Sequence, residues 1–156
     1  MIIGIDASNI KSGGGLTHLV ELFRNVDPVK HQFKKVVIWA SQTTLDSLVD
    51  CPWLIKRSLN YLGTNYLFRA LWQWRYLGKL AENENCSLLF IPGGLVLTSF
   101  RPVVTMNQNL LPFSWRETLR YGFSLMTFRL IMLRWLHKRS LRHADGVIFL
   151  TKYAIK

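Results

Sequence analysis

Acidic side chains are missing from two long stretches of this sequence, residues 51–81 and 118–144. The first fifty residues balance five Lys/Arg against five Asp/Glu, so the whole formal excess of +11 falls in residues 51–156. Basic, aromatic-rich helices of this kind suit an anionic membrane surface, a nucleic acid or an acidic partner domain. Cysteine is equally scarce. Cys51 and Cys86 are too few for a disulfide framework and have no metal-ligand spacing, which points to structural thiols in a reducing compartment and to no metal site. Long apolar runs are absent too. The longest, Tyr121 to Leu133, is interrupted by Arg129 and covers 13 residues, against the ~20 that a bilayer crossing needs. Asp6 breaks the first apolar run at once, so no signal peptide is expected and the cytoplasm is the expected location.

With 49% hydrophobic and 13% aromatic residues, the chain can bury the core of one domain, which excludes disorder. Short apolar runs recur: Ile2–Ile5, Val36–Trp39, a weaker one at Arg57–Leu59, Leu88–Ile91, Val103–Met106 and Val147–Leu150. They are continuous rather than alternating, as in strands covered on both faces. Helical stretches lie between them, at Leu16–Phe23, Thr43–Leu48, Tyr66–Glu84 and Glu117–Arg142. This alternation predicts an α/β fold, a doubly wound and mostly parallel sheet with helices on both faces. Residues 1–150 form that domain. Residues 151–156 look like the first turn of a further helix, so the end of the chain has the character of a truncation.

The segment with the most chemical content is GIDASNIKSGGGL, a strand that runs into Gly13, Gly14 and Gly15 and then a helix. Backbone N–H groups and the positive end of a helix dipole meet there, a natural seat for phosphate or another anion. Two familiar phosphate devices fail on spacing. The dinucleotide fingerprint would need glycine where His18 stands and an acidic residue after Trp39-Ala40-Ser41. A P-loop would end in Gly-Lys-Ser/Thr, which this segment lacks. Other strands deliver polar or flexible segments to the same edge: Gly93 and Gly94, Asn107 to Asn109 with Gln108 between, and Thr151. The alternative is a plain turn at Gly93-Gly94 and helix capping by the two asparagines.

Four segments in order, GIDASNIKSGGGLTHLVEL, PVVTMNQNLLPF, RYGFSLMTFRL and ADGVIFLTKYA, resemble the N-terminal half of a large family of bacterial retaining glycosyltransferases, which includes many lipopolysaccharide and O-antigen transferases. The resemblance implies half of a GT-B architecture, one of two Rossmann-like domains facing across a cleft. It implies transfer of a sugar from a nucleotide-sugar donor to a glycan or lipid-linked acceptor in cell-surface polysaccharide synthesis. No separate cofactor is implied, the nucleotide sugar being a co-substrate of the complete enzyme. Gly13, Gly14 and Gly15 would approach the donor diphosphate or sugar, and Asn107, Gln108 and Asn109 would face the reacting sugar. Many relatives carry a histidine in that last segment and this sequence does not, so no catalytic residue is assigned. Thr151 falls where relatives often have Ser or Thr. The relatives' donor-binding domain carries two glutamates separated by seven residues, a pair missing here, so the chain alone is expected to be inactive and to work with a separate C-terminal domain.

His18, one turn into the first helix, could touch an acceptor or phosphate, although a lone histidine near a helix start is more often structural. Asp6 could orient the glycine segment, with local backbone hydrogen bonding the favoured role. At ~100° per residue, Arg116, Arg120, Arg134, Lys138 and Arg142 fall within ~80° on one helix face. That stripe suits the inner face of a plasma membrane, and the region around Trp72, Trp74, Arg75, Tyr76 and Lys79 has the same character. A solvated basic face over an aromatic core is the alternative. The rival function class is a non-catalytic basic α/β module on membrane or nucleic acid. The basic residues match no nucleic-acid recognition element, so no nucleic-acid partner is expected.

Overall fold

In the computed structural model, residues 1–59, 66–107 and 125–150 are described. Six strands form one sheet: β1 (Ile2–Asp6), β2 (Lys35–Ala40), β3 (Leu54–Ser58), β4 (Leu88–Ile91), β5 (Val103–Asn107) and β6 (Gly146–Phe149). All neighbouring strands pair in parallel, in the order β3-β2-β1-β4-β5-β6. The chain moves outward from β1 to β3, crosses back, and moves outward again from β4 to β6. The reversal falls between β1 and β4, and in doubly wound sheets the crevice beyond the strand ends at that point is the usual ligand seat. This is a Rossmann-like α/β fold.

Side-chain alternation divides the core into two layers. On one face Val36 and Ile38 join Ile5, Leu19, Phe23 and Leu45, beneath α1 (Gly13–Asn25) and α2 (Gln42–Asp46). On the other, Val37 and Trp39 join Leu89, Ile91 and Val103 beneath Trp72, Leu77 and Ala81. Those last three lie on one continuous helix made of α3 (Tyr66–Trp72), a π turn (Gln73–Leu77) and α4 (Gly78–Asn83). Its inward positions Arg69, Gln73, Leu77 and Ala81 are spaced by four. Such a series drifts ~40° per step in a regular α-helix, and the wider π turn takes up part of that drift. Gly4 at the sheet centre has to be small: a Cβ there would stand 3.0 Å from both the Leu89 side chain and the Trp39 ring.

Glu84 fastens the helix end to the sheet, accepting from Lys35 Nζ at 3.0 Å and from Arg57 Nη2 at 2.6 Å. These two cations hold its carboxyl below the ordinary carboxylate range. The last helix, α5 (Leu125–His143), packs on the loop after β4, where Ser140 Oγ accepts a 3.0 Å hydrogen bond from the Val96 N–H.

Several boundaries differ from the sequence expectation. β3 begins three residues earlier than the run at Arg57–Leu59, taking in Leu54, Ile55 and Lys56, because an edge strand tolerates a lysine within it. The first helix takes in Gly13, Gly14 and Gly15, so they form its opening turn and the connecting loop is Ala7–Ser12. The long helix is described from Leu125, and residues 108–124 and 151–156 lie outside the described residues. Both cysteines are free, and burial together with nearby Glu84 pushes the Cys86 thiol up to about 11, which leaves it a neutral, inert packing group at physiological pH.

Candidate functional site

β1 and β4 lie side by side, so the loops leaving their carboxyl ends share the crevice at the reversal point. The first is Ala7–Ser12 leading into α1; the second begins at Pro92. They touch: a Cβ on Gly93 would overlap the Asn9 side-chain amide. Glycine there is what lets the two walls meet.

Asp6 closes β1 and is fully buried. Its Oδ1 accepts the Ser8 N–H at 3.0 Å, and its Oδ2 accepts Gln73 Nε2 at 2.8 Å. Burial pushes this carboxyl's pKa up, while the Ser8 and Gln73 hydrogen bonds and the Arg69 charge pull in the opposite direction. Gln73 also donates to the Leu95 carbonyl at 3.0 Å and accepts the Leu97 N–H at 3.2 Å. One buried amide thereby fastens the end of β1 to the loop after β4. Arg69, itself buried, donates from Nη1 to the Ser8 carbonyl at 3.1 Å, and its guanidinium lies 4.5 Å from the centre of the Tyr66 ring. With both oxygens engaged, Asp6 has the role of a fastener, not of a proton acceptor for substrate.

The opening turn of α1 presents a different surface. Ser12 is extended and makes no side-chain cap, so the first N–H groups of the helix are not covered by it. Gly13 has φ +71°, a conformation that favours glycine. A Cβ on Gly13 or Gly14 would meet nothing within 4 Å among the described residues. Packing among the described residues therefore does not explain the glycine at position 14. Gly94 (φ +78°) is held from behind by His137, whose ring Cε1 lies 3.0 Å from the Cβ position. His137 is buried on α5, which lowers its pKa and favours the neutral imidazole.

The structure thus places Gly13 and Gly14 at the start of α1, sets Gly93 against Asn9 of the loop that precedes it, and backs Gly94 with His137. Asn107 ends β5, paired in register with Phe149 of β6 at the same sheet edge. Gln108, Asn109 and Thr151 lie outside the described residues, as do Arg116 and Arg120. His18 is exposed and sits at a separate feature, an apolar groove of about 500 Å³ between α1 and the β4–β6 side of the sheet, with walls that include Ile5, Leu22, Phe90, Met106 and Ile148. Of the basic stripe, Lys138 and Arg142 are exposed, whereas Arg134 is half-buried with its Nη1 shut from solvent. No group of three His, Cys, Asp or Glu positioned for a metal occurs among the described residues. None of the described helices is long and apolar enough to cross a membrane.

Sequence reasoning missed Arg69, Gln73 and His137. The available signal was polarity at inward helical positions: Gln73 interrupts the apolar side shared by Trp72 and Leu77. A polar residue on a buried face needs partners, and partners at this edge belong to the crevice. Compared with known proteins, the chain matches no family model, no curated protein and no solved structure.

Proposed function

We propose that this domain is the acceptor-side half of a retaining nucleotide-sugar glycosyltransferase, serving a glycan or lipid-linked acceptor at the inner face of the plasma membrane. The observation that carries the reading is the crevice between β1 and β4, where the loop that leads into the exposed glycine turn of α1 meets Gly93 of the adjoining loop through Asn9. Glycosyl transfer breaks the bond between the sugar's anomeric carbon and the donor diphosphate, and forms one to an acceptor hydroxyl. The departing diphosphate gathers negative charge, which backbone N–H groups at a helix start stabilise. In this reading Gly13–Gly15 supply those groups, and Gly93 lets the Asn9 loop close against the loop after β4. Asp6, Gln73 and Arg69 hold the two walls at a fixed separation. The donor's nucleotide is assigned to a second domain, so the 156-residue chain by itself turns over negligibly.

The test is equilibrium dialysis of the chain against a panel of radiolabelled nucleotide sugars and lipid-diphosphate-linked glycans. At least one is expected to bind, and Gly14→Asp, which puts a carboxylate into open space at the helix start, is expected to weaken it by about tenfold. Binding by the panel that Gly14→Asp leaves unchanged, or no binding at all, contradicts the reading.

A further inference from the structure

Six large apolar or aromatic side chains stand exposed within eleven residues of the helix that crosses from β3 to β4: Tyr66 (70%), Leu67 (78%), Phe68 (62%), Leu71 (51%), Trp74 (64%) and Tyr76 (56%). Isolated exposed apolar residues are ordinary; a continuous set on one short helix is not. Leu67, Leu71 and Trp74 follow i, i+4, i+7 and share one side, opposite the buried Arg69, Trp72 and Gln73. Trp72, Leu77 and Ala81 already give the helix its core contact, so this outer apolar side is left uncovered by the protein's core.

The charges beside this outer side identify what meets it. Arg75 and Lys79 are exposed next to Trp74, and Glu82 is the first acidic residue of the helix, reached only in its last turn. No Asp or Glu occurs anywhere in residues 51–81. On the neighbouring α5, which shares the loop after β4 with this helix, Ile131, Met132 and Trp135 are also exposed beside Lys138, Arg139 and Arg142. Leucine and phenylalanine flanked by tryptophan, tyrosine and cations is the composition of a surface that settles among lipid headgroups, apolar chains inward and cations at the phosphates. No described helix can span a bilayer, so the contact is a lateral one.

We propose that the outer side of residues Tyr66–Lys79 is a docking surface for an anionic lipid bilayer, with Leu67, Phe68, Leu71 and Trp74 entering the headgroup region and Arg75 and Lys79 holding lipid phosphates. This contact deepens the transferase reading and rests on the membrane location given there, but it uses none of the proposed donor-binding glycines, so vesicle binding and nucleotide-sugar binding fail separately.

Co-sedimentation with vesicles of phosphatidylcholine alone, and of phosphatidylcholine containing phosphatidylglycerol, tests the proposal. Binding is expected only to the anionic vesicles and to fall as salt is raised. Arg75→Gln and Lys79→Gln are each expected to weaken it about fivefold. The combined variant Leu67→Ser, Phe68→Ser, Leu71→Ser, Trp74→Ser is expected to abolish it while leaving the far-ultraviolet circular dichroism unchanged, because all four side chains lie outside the core. As a check that needs no multiple substitution, brominated lipid is expected to quench the wild-type tryptophan emission more strongly than that of Trp74→Phe. Equal quenching in the two proteins, absence of binding to anionic vesicles, or binding that survives the fourfold variant overturns the proposal. So does a wild-type dimer that the fourfold variant splits, since a second copy would then be the occupant.

Discussion

Gln73 shows how much one buried side chain can organise. Its amide donates to Asp6 and Leu95 and accepts from Leu97, and each bond has only one workable orientation of that amide. Replacing Asp6 by Asn puts a second NH₂ group among donors: if its oxygen keeps the Ser8 N–H, its nitrogen faces Gln73 Nε2. Turning Gln73 over would relieve that clash and break both bonds to the loop after β4. Asp6→Asn is therefore expected to lower stability by about 1–3 kcal/mol in denaturant titration. The variant also changes the pH response. A carboxyl whose folded pKa is raised contributes stability that is full below its unfolded pKa and is lost as pH rises through the folded one. Glu84, with its pKa lowered, acts in the opposite sense, contributing above its unfolded pKa and losing that contribution as pH falls through the folded value. Asp6→Asn is expected to remove the first slope and leave the second.

At the level of elements, the central strands were legible because burial on both faces leaves almost no choice but Val, Ile, Leu and Phe, as in Val36–Ile38. Helix starts were less so. Three glycines in a row resemble a loop by composition, yet Gly13 can take its positive φ and the next two can begin a helix, so α1 starts three residues before its first apolar position. The π turn leaves no compositional mark, and the polarity of Gln73 marks a buried polar position without telling which strand end it meets. Of the candidate site, the glycines were visible, being chemically distinctive; the fastening residues were not, because only the fold shows that residue 73 meets residue 6. The hold of α5 on the loop after β4 gives a prediction at this scale. Ser140→Ala strips the buried Val96 N–H of its acceptor and is expected to cost about 1–3 kcal/mol, read as a lowered midpoint of thermal unfolding.

The molecule as a whole divides its work between an edge and a side. The strand order reverses between β1 and β4, and that reversal sets the loop leading to Gly13 and Gly14 against Gly93 at the carboxyl edge. The exposed aromatic helix of α3 and α4 lies on the layer opposite α1 and α2. A transferase acting on lipid-linked acceptors would use both at once. Ligand binding in the crevice is read residue by residue by amide chemical-shift mapping. A ¹⁵N-labelled chain titrated with a nucleotide sugar or a lipid-diphosphate analogue is expected to shift the backbone signals of Gly13–Gly15, Asn9, Gly93 and Gly94 together, with one saturation curve. Shifts confined to the exposed basic helices, with these glycines unmoved, would contradict it.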